Sequence, residues 1–199
     1  MILFLIEYFN LNNSIFNVVN YITIRSGLAL MTSLFFILIF GPYLIKFISR
    51  FQSEGQPIRL DGPESHLVAK KGTPTMGGFI ILLSILISII LWSNFASQIL
   101  WPCLFIMMSF GAIGFLDDYK KILNNTSDGV SGKNKILLEI LFALIFVLWS
   151  TSLNLDNQKL LSLPFLKDVY INLGIFFIPF VIFVIIGSAN AVNLTDGLD

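Results

Sequence analysis

The chain has 199 residues, of which 56% are hydrophobic and only 12% charged, and Lys plus Arg balance Asp plus Glu at a formal net charge of zero. A soluble domain carries about a quarter charged residues, so a mean hydropathy of +0.85 together with 20 phenylalanines makes lipid the solvent of this chain. Zero net charge excludes bulk electrostatic attraction to nucleic acid, and the single cysteine, Cys103, inside an apolar run excludes a disulfide or thiolate metal framework.

The opening MILFLIEYF has neither a basic leading region nor a small-residue cleavage site. It reads as a short segment lying on the membrane surface rather than a signal peptide. A helix that crosses the hydrocarbon core needs about 20 mostly apolar residues. Five windows meet or approach this: Gly27–Ile45, Met76–Trp92, Ile99–Leu116, Ile136–Leu153 and Leu173–Val192. Several are short, so their polar flanks are expected to add a turn. The alternating ten-residue pattern of a membrane barrel is missing. The fold class is therefore all-α, a single integral membrane domain over residues 1–199 with five transmembrane helices. Ser49–Thr75, Ser93–Gln98, Asp117–Lys135 and Thr151–Asn172 read as connections.

Basic residues in the connections set the orientation. Arg50, Arg59, Lys70 and Lys71 follow the first span, and Lys120, Lys121, Lys133 and Lys135 follow the third. On the other side, Ser93–Gln98 has none and Thr151–Asn172 has only Lys159 and Lys167. Eight against two puts the N-terminus outside and both basic loops in the cytoplasm. The chain stops at NAVNLTDGLD without a basic anchor after the last span, which suggests a cut chain.

Within FLDDYKK, Asp117 and Asp118 stand side by side where the third span is expected to end. Carboxylates at a helix C-terminus are unfavourable by about 0.3–1 kcal/mol each, and solubility alone would be better served by lysine. Lys120 and Lys121 are their local partners. A second acidic cluster, Asn193, Asp196 and Asp199, falls on the same side of the membrane. If helical, these three share one face at 100° per residue. Carboxylate and amide oxygens suit Mg²⁺ or Mn²⁺, which keep several waters and share positions with substrate phosphates. The lysines around them would neutralise phosphate. In KKGTPTMGG, Gly72, Gly77 and Gly78 allow close backbone approach or helix packing, and Thr73 and Thr75 supply hydroxyls. Glu139 is the only acid within a span. Lying one turn inside its end, it reads as a side chain that reaches the interface, which argues against a transporter with charges at the bilayer midplane.

The segments DGPESHLVAKKGTPTMGG, GFLDDYKK and NAVNLTDGLD resemble the signatures of the phospho-N-acetylmuramoyl-pentapeptide-transferase family, within the polyprenyl-phosphate sugar-1-phosphate transferases. The likeness covers nearly the whole chain and corresponds to the N-terminal half of a ten-helix enzyme of the bacterial cytoplasmic membrane. The resemblance implies transfer of phospho-N-acetylmuramoyl-pentapeptide from its UDP-linked donor to undecaprenyl phosphate. UMP is released and lipid I formed for peptidoglycan, with Mg²⁺ as cofactor and a homodimer open for the full-length enzyme. A related UDP-N-acetylhexosamine transferase is the alternative. The resemblance makes Asp117 and Asp118 the catalytic pair, and names Asp117, Asp118 and Asn193 as metal ligands. Lys70, Thr75, Lys121, Lys133 or Lys135, Asn193, Asp196 and Asp199 would contact substrate. Asp117 would act as base or orienter of the lipid phosphate with Asp118 as electrostatic partner, or the pair would serve a covalent aspartyl-phosphate route. The family's later aspartate and histidine cluster have no counterpart here, because the only histidine is His66 in PESH.

Overall fold

The computed structural model describes residues 1–9, 18–50, 52, 75–124, 126, 128–155, 158–163, 165–166 and 168–198, apart from the side chains of Glu7 and 195–198. Among the described residues six α-helices follow in chain order: α1 (Ile2–Tyr8), α2 (Ile22–Ser49), α3 (Gly77–Trp92), α4 (Leu100–Asn124), α5 (Gly132–Ser152) and α6 (Phe177–Leu198). Single 3₁₀ turns precede α2 and α6. Four segments are long and apolar enough to cross a membrane, namely Ile22–Ser49, Leu100–Asn124, Gly132–Ser152 and Gly174–Leu194, with the shorter Gly77–Trp92 as the fifth. At 1.5 Å per residue, α3 is about 24 Å long, somewhat less than a hydrocarbon core of about 30 Å. The all-α membrane fold expected from the sequence is what forms.

Four of the helices, α2, α4, α5 and α6, overrun their apolar windows at one end or both, whereas α3 stays within its own. Above all, α4 continues to Asn124, so Asp117 and Asp118 lie about two turns before its end rather than in a connection. The unfavourable C-terminal dipole therefore does not act on them at close range. Lys133 and Lys135 likewise belong to the first turns of α5. The connection Thr151–Asn172 holds a feature that the apolar windows gave no sign of. Strands β1 (Leu160–Ser162) and β2 (Tyr170–Asn172) pair antiparallel, Leu160 opposite Asn172 and Ser162 opposite Tyr170.

The described residues form two compact units. The first contains 1–100 and 111–130, and the second 101–110 and 131–199. In the first unit α2 packs along α3. Lipid offers no hydrophobic gain for helix association, so small residues and polar bonds favour close approach. Ile80, Ser84 and Ser88 form a buried row on α3 at every fourth position. The Trp92 indole N–H donates to Thr32 Oγ1 on α2 at 2.9 Å, and that hydroxyl in turn donates to the Leu28 carbonyl at 2.7 Å. Pro42 sits inside α2 without ending it, as membrane helices tolerate. The Met1 ammonium donates to the Ile90 carbonyl at 2.9 Å, and partial desolvation lowers its pKa from the ordinary value.

In the second unit α5 packs on α6. Glu139, Ala143 and Val147 form the buried row of α5, again four apart. Phe105 of α4 contributes edge-on ring contact to Phe142, with centroids 5.9 Å apart.

Candidate functional site

Two adjacent helical residues point 100° apart, and a residue three and four positions further on lies between them. Lys121 occupies that position. Its Nζ stands 2.6 Å from Asp117 Oδ2 and 3.6 Å from Asp118 Oδ1. Of the two lysines in DDYKK, the second is the shared counter-ion, and Lys120 is exposed. Like charges on neighbouring carboxylates are thus offset within α4 itself.

Each carboxylate also receives a backbone amide from a different connection. The Val130 N–H donates to Asp117 Oδ1 at 2.8 Å, drawing the segment between α4 and α5 onto the acid. Gly129 is needed there, because a Cβ at that position would fall on the Asp117 carboxylate. The Met76 N–H donates to Asp118 Oδ2 at 3.2 Å. Met76 is the N-cap of α3, has no side-chain cap and holds a left-handed backbone at φ 74°. Such a conformation costs a non-glycine residue about 1–2 kcal/mol. Asp118 therefore places negative charge at the N-terminus of α3, a favourable position for an anion. One residue earlier, Thr75 is held by the side chain of Gln52. Asp117, Asp118, Lys121, Thr75 and Gln52 come together in the first unit.

Other expected site residues stand elsewhere. Lys133 and Lys135 are in the second unit, Lys133 exposed and Lys135 half-buried. Cations in a helix's first turns oppose its dipole, so their placement is not explained by helix stability. Asn193 is exposed on α6, and Asp196 also belongs to that helix, so their three-residue spacing does put both positions on neighbouring parts of one face. Lys70 and Asp199 lie outside the described residues, as do Lys71, Gly72, Thr73 and His66.

Glu139 corrects the sequence reading. Its helix begins at Gly132, placing it about two turns inside, and it is buried at 2% exposure rather than reaching the interface. Asn190 Nδ2 donates to its Oε2 at 2.6 Å. Sequence reasoning missed Asn190, Gln52, Gly129 and the backbone donors Met76 and Val130. Backbone donors leave no trace in residue type. Asn190 does carry a signal, an amide in an apolar helix, and NAVN was read only from Asn193 onward.

The donor set suits a hard divalent cation. Mg²⁺ is bound through one or two carboxylates with waters and substrate phosphate completing its shell, and Asp117 and Asp118 offer two partly exposed carboxylates. Among the described residues no group of three or more His, Cys, Asp or Glu side chains gathers to hold a metal.

Curated relatives named phospho-N-acetylmuramoyl-pentapeptide-transferase match nearly the whole chain. The Rickettsia felis protein is 50% identical over 188 residues, covering 94% of this chain and 52% of the relative. The Ruegeria sp. (strain TM1040) protein is 49% identical over 187 residues, covering 92% and 51%. The chain spans about half the length of these relatives. Residues 100–199, which carry the acidic pair, match the description glycosyl transferase family 4, and the chain belongs to that family.

Proposed function

We propose that this chain provides half of a membrane transferase that moves phospho-N-acetylmuramoyl-pentapeptide from a UDP-linked donor to undecaprenyl phosphate. UMP is released, and lipid I is formed at the cytoplasmic face of a bacterial inner membrane. The observation that carries the reading is the Asp117–Asp118 pair on α4, bridged by Lys121 and tied by backbone amides to the start of α3 and to the segment before α5. Half-identity to relatives bearing that name supports it.

The chemistry joins two anions. An oxygen of the lipid phosphate bonds to the sugar-linked phosphorus, and the bond from that phosphorus to the UMP oxygen breaks. A phosphate monoester has a second pKa near 6, so the nucleophile is largely ionised at neutral pH and needs little help from a base. The demand is electrostatic and positional. Asp117 has its two oxygens engaged by Lys121 and Val130, which fixes its carboxylate, and in this reading that carboxylate would orient the lipid phosphate. Asp118 holds the start of α3 and, with Asp117, would hold Mg²⁺, with Asn193 a further ligand. Mg²⁺ would supply charge screening between donor and acceptor phosphates. Lys121 offers an ammonium to the same phosphates, and Lys70, Thr75, Lys133 or Lys135, Asp196 and Asp199 would line the donor side.

The test is radiolabelled lipid I formation by the complete gene product in membranes with Mg²⁺. Asp117→Asn keeps an acceptor for the Val130 amide but loses the charge facing Lys121, so the fold should persist while turnover falls about a hundredfold, the scale of a misplaced positioning group. Undiminished lipid I formation by that variant would refute the role of the pair.

A further inference from the structure

Gln52 is a polar residue with no role in the chemistry above, yet it is only 8% exposed. Its backbone N–H donates to the Ser49 carbonyl at 3.2 Å, so it is fastened to the last turn of α2. Its side chain turns to a residue 23 positions later. Oε1 accepts the Thr75 N–H at 2.8 Å, and Nε2 donates to the Thr75 carbonyl at 3.4 Å. One primary amide thus meets both backbone groups of a single residue. The reverse amide orientation would set two donors against each other at the shorter contact, so the assignment is forced by chemistry.

The next residue, Met76, is held by Asp118 in a left-handed conformation. Two successive amides at the entrance to α3 are therefore gripped from two sides, one by α4 and one by the end of α2. A left-handed non-glycine residue persists where its surroundings over-determine it, and the Gln52 clasp is the second of those constraints.

We propose that Gln52 is a positioning residue: through the backbone of Thr75 it sets where that threonine and the first turn of α3 stand relative to Asp118, and thereby governs binding of the phosphorylated nucleotide donor. The proposal rests on the transferase reading, in which Thr75 lines the donor pocket. Gln52 acts through Thr75 and takes no part in bond making.

Three variants of the complete gene product in nanodiscs test it. Gln52→Leu removes both bonds, Gln52→Asn is one methylene too short to span both groups, and Gln52→Glu keeps the acceptor for the Thr75 N–H. Hydrogen exchange of the peptide containing Thr75 and Met76 should quicken in the first two and stay slow in the third. The KM for the UDP-linked donor should rise about five- to tenfold in the first two, the scale of one or two lost hydrogen bonds. The KM for undecaprenyl phosphate and kcat should move less than about twofold, and Gln52→Glu should keep the donor KM within about twofold. If Gln52→Leu does not fold, Gln52→Asn carries the same comparison. Faster exchange with an unchanged donor KM overturns the proposal, as does an equal fall in kcat across all three. Absence of transfer by the unsubstituted protein refutes the transferase reading and the proposal's substrate with it, and the exchange result then shows whether the clasp itself exists.

Discussion

Asn190 Nδ2 on α6 donates to Glu139 Oε2 on α5 at 2.6 Å, in the interior of the second unit. The same amide also donates to the Ile186 carbonyl at 3.0 Å, so Asn190 keeps one partner if the other is removed. Interhelical bonds of this kind contribute about 0.6 kcal/mol on average and up to about 1.7 in membranes. Glu139→Leu should lower the thermal stability of the detergent-solubilised protein by about that amount. Glu139→Gln, which retains an acceptor oxygen, should stay close to the parent. A Gln variant as unstable as the Leu variant would mean that charge rather than the hydrogen bond holds the two helices.

Gly129 and Asp117 make a second relationship open to a single substitution. The segment before α5 reaches Asp117 only because residue 129 has no side chain. In Gly129→Ala either the carboxylate or the segment must move, and the Val130 bond lengthens or breaks. Overpacking at such a contact costs about 1–3 kcal/mol. The expected outcome is a lower melting temperature with lipid I formation reduced at least tenfold, read in the radiolabel assay. A fully active Ala variant would show that the segment can close over Asp117 in some other way.

Much of the fold was legible because lipid imposes one rule, a run of apolar residues long enough to cross. The windows found the four long apolar helices and the shorter Gly77–Trp92 among the described residues, and the adjacent acids of FLDDYKK singled out Asp117 and Asp118. Their ends were less legible. Hydropathy falls at Asp117, but nothing in FLDDYKK breaks a helix, and the i, i+4 pairing of Asp117 with Lys121 favours continuing it. The missed site partners, Met76 and Val130, act through backbone N–H groups that every non-proline residue carries. Gln52 was hidden in a polar connection, where a glutamine reads as solvated. Glu139 was misplaced because its partner Asn190 lies 51 residues away, beyond the reach of any local pattern.

The orientation rests on eight basic residues on one side against two on the other, which predicts a labelling pattern. In a Cys103→Ser background, Ser97→Cys should react with an impermeant thiol reagent added to intact cells, and Asn124→Cys should not. Asn124 closes α4 and is exposed, so poor access by burial does not explain a negative result there. Labelling of Asn124→Cys before lysis would put the acidic pair on the outer face and contradict a cytoplasmic donor site.

Lys121 offers the sharpest test of how the acidic pair is shared. It is the cation between two neighbouring carboxylates, and in the proposed reaction it serves two partners whose demands conflict. Toward Asp117 and Asp118 its charge competes with a divalent ion, since an ammonium beside a carboxylate lowers that group's attraction for another cation. Toward the donor phosphates the same charge aids binding. Lys121→Met removes the ammonium and keeps a flexible stem with good helix propensity, so α4 should stay intact by circular dichroism. Two measurements should then move in opposite directions. The Mg²⁺ concentration for half-maximal lipid I formation should fall severalfold, because the carboxylates lose their internal cation. The donor KM should rise about tenfold, the scale of one lost hydrogen bond to a charged group. Lys121→Arg, which keeps the charge, should restore the Mg²⁺ requirement more fully than the donor KM, since a planar fork does not reproduce a compact ammonium. A Met variant that needs more Mg²⁺ rather than less would mean that Lys121 supports the metal site by holding the carboxylates in place, and its role as their competing counter-ion would be wrong.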